Sequence, residues 1–151
     1  MAAPETELLL RLQTTVLEAV ARGERLADIG AVLCHCVERS APGVISSVLL
    51  VDDDARLQTL AAPSLPQSYC NAINGLAIGP KVGSCGTAAW RNQPVEVRDI
   101  ATDPLWAKFK QLALPLGLRA CWSSPIRDKN GRVLGTFAFY YRDARGPTAF
   151  E

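Results

Sequence analysis

Five cysteines stand at positions 34, 36, 70, 85 and 121, and their thiols are the side chains of this chain best able to do chemistry. Cys85 has the most suggestive surroundings. It lies in Gly83-Ser84-Cys85-Gly86, where Ser84 can N-cap a short helix over Ser84–Arg91. A thiol at a helix N-terminus meets free backbone amides and the positive end of the helix dipole, which lower its pKa and favour the reactive thiolate. The competing reading is a small buried residue packed under the loop, since free cysteine is among the most buried side chains.

Cys34-His35-Cys36 brings two thiols beside the one histidine of the chain. Zinc needs about four converging ligands, usually in paired Cys-x-x-Cys units. Neither such a pair nor a second histidine is present, so no zinc site is expected. An odd cysteine number in a chain rich in core residues makes no disulfide framework, and reduced thiols are the expectation.

The elements that must position these groups follow from composition and periodicity. A length of 151 residues and a mass of 16.3 kDa suit one domain. Hydrophobic residues at 48% and charged residues at 21% support a packed interior and argue against disorder. Sixteen Lys and Arg against fifteen Asp and Glu leave a net charge of +1 without a basic run, which speaks against nucleic acid. The apolar stretches Val48–Val51 and Leu112–Leu118 fall short of the roughly 20 residues that cross a bilayer. Glu5 and Glu7 stand where a signal peptide would carry basic residues, so a cytoplasmic protein is expected.

Leu8, Leu9, Leu12, Val16 and Val20 recur at helical spacing, predicting an amphipathic helix over about 5–22 that Gly23 ends. Its leucine-rich stripe is wider than a solitary surface helix needs, which points to dimerisation. A second helix is expected over Glu24–Ser40, stopped by Pro42-Gly43. β-branched residues over Val44–Val51, the turn-forming Asp52-Asp53-Asp54-Ala55 and the segment Arg56–Ala61 predict a hairpin. Gln67–Asn74 suits a short helix, and Pro94–Ile100 alternates as an edge strand would. Asp103-Pro104 opens a further helix that carries Trp106 and Phe109 and closes at Gly117. Arg119–Ile126 and Arg132–Tyr141 flank Asn130-Gly131 as a second hairpin. Two helices ahead of five strands and several short helices make an α+β domain on an antiparallel sheet.

Gly83-Ser84-Cys85-Gly86-Thr87-Ala88-Ala89, Pro94-Val95-Glu96-Val97-Arg98-Asp99-Ile100, Asp103-Pro104-Leu105-Trp106, Gly117–Ile126 and Gly131–Phe137 resemble, in order and spacing, a GAF domain, the small-molecule sensor module of many signalling proteins. The resemblance covers roughly residues 24–143. It implies a six-stranded antiparallel sheet, terminal helices on one face, and a ligand pocket roofed by short helices and loops on the other. It divides the chain into an N-terminal signalling and dimerisation helix (1–22), the GAF domain (23–145) and the start of a linker helix (146–151). It further implies a homodimeric regulator with no catalysis of its own, which binds an unidentified small molecule. Similar sequences precede diguanylate cyclases and phosphodiesterases of cyclic di-GMP, or histidine kinases, in bacterial proteins, so a covalently linked C-terminal output domain is expected.

Tyr69, Cys85, Trp106, Phe109, Arg119, Cys121 and Ser123 become the pocket candidates, with Asp99 and Asp103 at its rim. Asp103 already has a structural role as the N-cap before Pro104. Phe137, Phe139 and Tyr141 share one face of their strand, and Cys121 and Ser123 oppose Trp122 and Ser124. Free methionine sulfoxide reductases carry a similar Gly-Val-Cys-Gly-Thr-Ala turn, which offers an enzyme alternative through Cys85 with Cys121. Their further Cys-Asp stretch is replaced here by Leu114–Ala120. A ligand-free dimerisation spacer is the third reading. No bilin or heme motif is recognised, and His35 falls on the helix away from the pocket.

Overall fold

The computed structural model describes residues 20–148 and, ahead of them, Leu10, Thr14, Thr15, Leu17 and Glu18. The described residues between 10 and 21 have helical backbone. Gly23, at φ +72°, ends that segment in a conformation that side chains resist. Leu8, Leu9, Leu12 and Val16 lie outside the described residues; Leu10, Leu17 and Val20 are exposed, at 57%, 66% and 55%.

Helix α1, Leu26–Ser40, starts two residues later than the periodicity predicts because Arg25 is still extended. It lays Cys34 and Gly30 against the sheet. A Cβ on Gly30 would come within 3.1 Å of the Ala61 Cβ, so the missing side chain sets how closely helix and sheet approach. Strands β1 (Val44–Val51) and β2 (Leu57–Ala61) form the first hairpin. The Asp52 carboxylate holds its turn by accepting from the backbone N–H of Asp54 and Arg56, both at 2.9 Å. Helices α2 (Gln67–Ile73) and α3 (Gly83–Arg91) precede β3 (Val95–Val97). A 3-10 turn (Pro104–Trp106), the short helix α4 (Lys110–Ala113) and a second 3-10 turn (Leu114–Leu116) lead into β4 (Ala120–Arg127) and β5 (Val133–Tyr141).

All pairs are antiparallel, in the order β2-β1-β5-β4-β3. The described residues thus form five strands, as the residue patterns predict, and the sixth that the resemblance implied is absent from this sheet. Both rims are short or occupied. β3 pairs only through Val95–Val97, less than the predicted Pro94–Ile100, because the chain turns at Asp99, whose carboxylate accepts from Ala101 N–H at 3.0 Å. Along the outer side of β2, Leu57 N–H donates to the Leu76 carbonyl at 2.8 Å and Gly75 N–H to the Leu57 carbonyl at 2.7 Å. Thr59 N–H there donates to the Asn74 side chain at 2.6 Å.

Two further expectations are corrected. The single helix expected between Asp103 and Gly117 is broken at Phe109, whose φ of −124° leaves the helical region, and Pro115 brings no N–H to continue it. Asp103 does cap the first turn, accepting from Leu105 N–H at 2.9 Å ahead of Pro104. Ser84 is not the N-cap of α3: Val82 holds that position and Ser84 turns inward. Residues 146–148 are not helical, and 149–151 lie outside the described residues.

Strand alternation sorts the core into two sides. Ala120, Trp122, Phe137, Phe139 and Tyr141 pack on the side of α1 with Val37 and Ala41. Phe139 makes edge-on ring contacts with Trp122 at 5.5 Å and Phe137 at 5.2 Å. Ile45, Leu49, Cys121, Ala138 and Tyr140 form the opposite side under α2, α3 and the 104–116 segment. No helix among the described residues is long and apolar enough to cross a membrane.

Candidate functional site

The site lies on the second side, where α3 runs over β4 and β5. Its first residue, Gly83, adopts φ +59°, and a Cβ there would stand 3.4 Å from the Trp106 ring. The positive φ favours glycine here, while the distance to the ring is ordinary contact. With Trp106 that close, its indole N–H donates to the Ser84 hydroxyl at 3.0 Å, and Ser84 donates onward to the Cys121 carbonyl at 3.0 Å. Thr87 closes the same turn by donating to the Gly83 carbonyl at 2.6 Å and accepting from Val82 N–H at 3.0 Å. A buried polar chain therefore ties the 104–106 turn, α3 and β4 together.

Cys85 follows in that turn and is buried, not exposed as a freely reactive thiolate would be. The Ser123 hydroxyl donates to its sulfur at 3.3 Å. Hydrogen bonding by Cys121, with a smaller contribution from Ser123, outweighs burial and lowers the Cys85 thiol to about 7. Cys121 moves the other way: burial, then the Cys85 neighbour, pushes its thiol well above the ordinary value. Of the two, Cys85 carries the negative charge first.

Tyr69 from α2 and Tyr140 from β5 meet above the sheet with their hydroxyls 3.0 Å apart and rings edge to face at 6.0 Å. Burial raises both phenols well above their ordinary value, so the pair is uncharged. Two small cavities flank it. One, of about 20 Å³, is lined by Leu57, Tyr69, Cys85, Trp106, Phe109 and Tyr140 among others. The other, of about 10 Å³, includes Ser47, Thr59, Cys70 and both tyrosines in its wall. The Ser47 hydroxyl faces no hydrogen-bond partner although Ser47 is 1% exposed. No Lys, Arg, His, Asp or Glu side chain lines either cavity, and the group there that ionises near neutral pH is the Cys85 thiol. Each has room for about one water, far below the roughly 300 Å³ of a small-molecule site.

Of the candidates named from sequence, Tyr69, Cys85, Trp106 and Phe109 line the larger cavity. Cys121 and Ser123 lie beneath Cys85 on β4. Arg119 stands apart: half-exposed, it pairs with Asp99 at 3.3 Å and lines neither cavity. Asp103 is spent on its cap, and His35 is exposed on α1. Tyr140 and Ser84 were missed. Tyr140 was legible in principle, since assigning Phe139 and Tyr141 to one face puts the residue between them on the other.

A five-stranded antiparallel sheet with a helix over one face and a small, aromatic-walled polar cluster under short helices over the other defines the class as an α+β domain. The chain belongs to the GAF domain family, whose model matches residues 27–150. It is 38% identical over 148 residues to the methyl sulfide methyltransferase-associated sensor of Methanosarcina acetivorans, covering 97% of this chain and 15% of that protein. Solved structures that share the fold include the following two. The GAF domain of the Acinetobacter phosphoenolpyruvate-protein phosphotransferase aligns with a TM-score of 0.76 at 14% identity over 99% of this chain and 84% of that one. The free methionine-R-sulfoxide reductase of Neisseria meningitidis, solved with its substrate, aligns with a TM-score of 0.74 at 16% identity over 99% and 83%. At such identities the likeness is one of fold alone.

Proposed function

We propose that this chain is a regulatory GAF sensor domain of a signal-transduction protein, which holds a small uncharged ligand beside Tyr69 and Tyr140 and dimerises through its N-terminal helix to control a linked output domain. Identity of 38% across 97% of the chain to a protein named as a sensor is the observation that carries the reading. The output is a cyclic di-GMP cyclase or phosphodiesterase, or a histidine kinase, as the resemblance implies. The chemistry of the walls supports the ligand class: an anion placed there loses its hydration, finds no Lys, Arg or His side chain to replace it, and meets the Cys85 thiol that itself ionises to an anion. The present volume admits about one water, so binding includes an outward shift of α2 that separates the two tyrosines. Exposed Leu10, Leu17 and Val20 offer the helix its apolar contact surface.

Native mass spectrometry of freshly purified protein, read with its absorbance spectrum, tests the proposal. A dimer carrying a neutral adduct supports it. A strict monomer at high concentration removes the dimerising helix, and a bound anion removes the uncharged ligand. Turnover of free methionine sulfoxide with a thiol reductant would instead favour the enzyme reading, for which Cys85 is the available nucleophile.

A further inference from the structure

Ser46 and Ser47 interrupt the apolar run of β1, and their hydroxyls meet different fates. On the α1 side, the Ser46 hydroxyl donates to the Cys34 carbonyl at 3.3 Å and its backbone N–H donates to Glu38 at 3.0 Å. Ser47 faces the other side, 1% exposed, and its hydroxyl has no hydrogen-bond partner. Across the β1–β5 ladder it stands opposite Ala138, whose methyl group supplies none. The Thr59 Oγ1 on β2 is likewise shut off from solvent without a hydrogen bond, and the Cys70 thiol near it is a weak donor and acceptor. Both side chains line the smaller cavity, whose wall is otherwise mainly apolar, with Leu49, Leu65 and Ile73. The tyrosine pair is a partition: Tyr69 and Tyr140 line this cavity and also the larger one that holds Trp106 and Phe109. Parting the two rings joins both into one elongated space, with two unpaired hydroxyls at one end and aromatic walls at the other.

We infer that Ser47 and Thr59 form the polar end of this pocket and take the uncharged oxygen of the ligand, the hydroxyl or carbonyl of a short-chain alcohol or ketone whose hydrocarbon body lies toward Trp106 and Phe109. The inference rests on the uncharged-ligand reading above and adds where the one polar atom of the ligand goes. Each hydroxyl both donates and accepts. A ligand hydroxyl therefore accepts from one and donates to the other, and a carbonyl oxygen accepts from both. A subsite of about 10 Å³ has room for a single oxygen, which a carboxylate or phosphate exceeds. A charged head also finds no counter-charge there, since burial raises the Cys70 thiol and both phenols and keeps them neutral. Two unpaired buried hydroxyls destabilise the fold by themselves, a local conflict expected where side chains are kept for binding.

The test titrates the full chain with 1-butanol, 2-butanone, butyrate and butylammonium, four probes of similar chain length, and follows backbone amide signals by nuclear magnetic resonance. The neutral probes should shift the signals of Ser47, Thr59 and Cys70 saturably at concentrations where the charged ones do not, and the tighter of the two names the head as hydroxyl or carbonyl. In Ser47→Ala and in Thr59→Val the affinity for the neutral probes should fall about three- to tenfold, the loss of one neutral hydrogen bond. The unfolding midpoint should hold or rise, because each substitution deletes an unpaired hydroxyl, whereas a structural hydroxyl would lower it. Undiminished binding in both variants, a charged probe that binds as well as the neutral ones, or wild-type shifts that leave residues 47 and 59 unmoved would each overturn the inference. The wild-type titration decides the matter even where a variant fails to fold. A co-purified neutral adduct retained in full by Ser47→Ala overturns this subsite and leaves the sensor reading standing, whereas a strict monomer or a co-purified anion removes that reading without altering these titrations.

Discussion

Tyr140→Phe removes one hydroxyl from a buried pair and leaves the other without its partner. The Tyr69 hydroxyl, 3.0 Å away and belonging to a residue 4% exposed, has no access to bulk water. An orphaned buried hydroxyl costs roughly 1–3 kcal/mol. A water entering the adjoining cavity of about 20 Å³ recovers part of that, so the expected loss is about 1–2 kcal/mol. For a domain of this size each kcal/mol lowers the midpoint by roughly 2–4 °C, giving a fall of about 2–8 °C. Tyr69→Phe should cost a similar amount by the same logic. The double variant removes both polar atoms and keeps both rings, so its cost falls short of the sum of the singles by about 1 kcal/mol or more. Urea unfolding followed by circular dichroism at constant m-value supplies the cycle. Strict additivity of the two single losses would refute the hydroxyl contact as the origin of the effect.

Other substitutions probe the surroundings. Gly83→Ala forces a side chain into positive φ against the Trp106 ring and should cost about 1–2 kcal/mol in the same unfolding assay. Arg119→Ala breaks an ion pair whose side chains are 44% and 34% exposed, so the loss stays below about 1 kcal/mol and ligand retention is unchanged in native mass spectra. Cys85 titrates at about 7 in the folded chain against an ordinary 9.0. A lowered folded pKa contributes stability that is present above pH 9 and lost as pH falls through 7, so unfolding free energy rises across that window. Above pH 9 the slope reverses, because burial raises Cys34 to about 11 and Cys121 well above its ordinary value, while the unfolded chain ionises. In Cys85→Ser the rise disappears and the fall remains.

The sheet was legible because its strands have local signatures: β-branched runs, an Asp-rich turn and Asn130-Gly131 announce β1, β2, β4 and β5 at nearly their observed bounds. Where a boundary depends on tertiary contact, local pattern misleads. Ser84 has the side chain of an N-cap, yet Gly83 reaches positive φ one residue earlier, and the Trp106 indole and Cys121 carbonyl claim the Ser84 hydroxyl. The resemblance makes Arg119 a pocket candidate and Asp99 a rim residue, whereas the two pair with one another. Tyr140 went unnoticed since the aromatic run Phe137–Tyr141 draws attention to the face it shares with α1. Cavity volume is invisible to sequence, because it depends on how far Tyr69, Trp106 and Phe109 reach toward one another.

The occupied rims of the sheet bear on how copies of this domain can associate. On the β2 side the backbone donors of Leu57 and Thr59 are already taken by the 74–76 segment, and on the β3 side only three residues pair, with exposed Glu96 at their centre. A second chain therefore finds a largely occupied rim on one side and a three-residue rim on the other, so sheet extension is disfavoured at both ends. Self-assembly is directed instead to side-chain surfaces, which match only at a particular register and leave the fold of each copy intact.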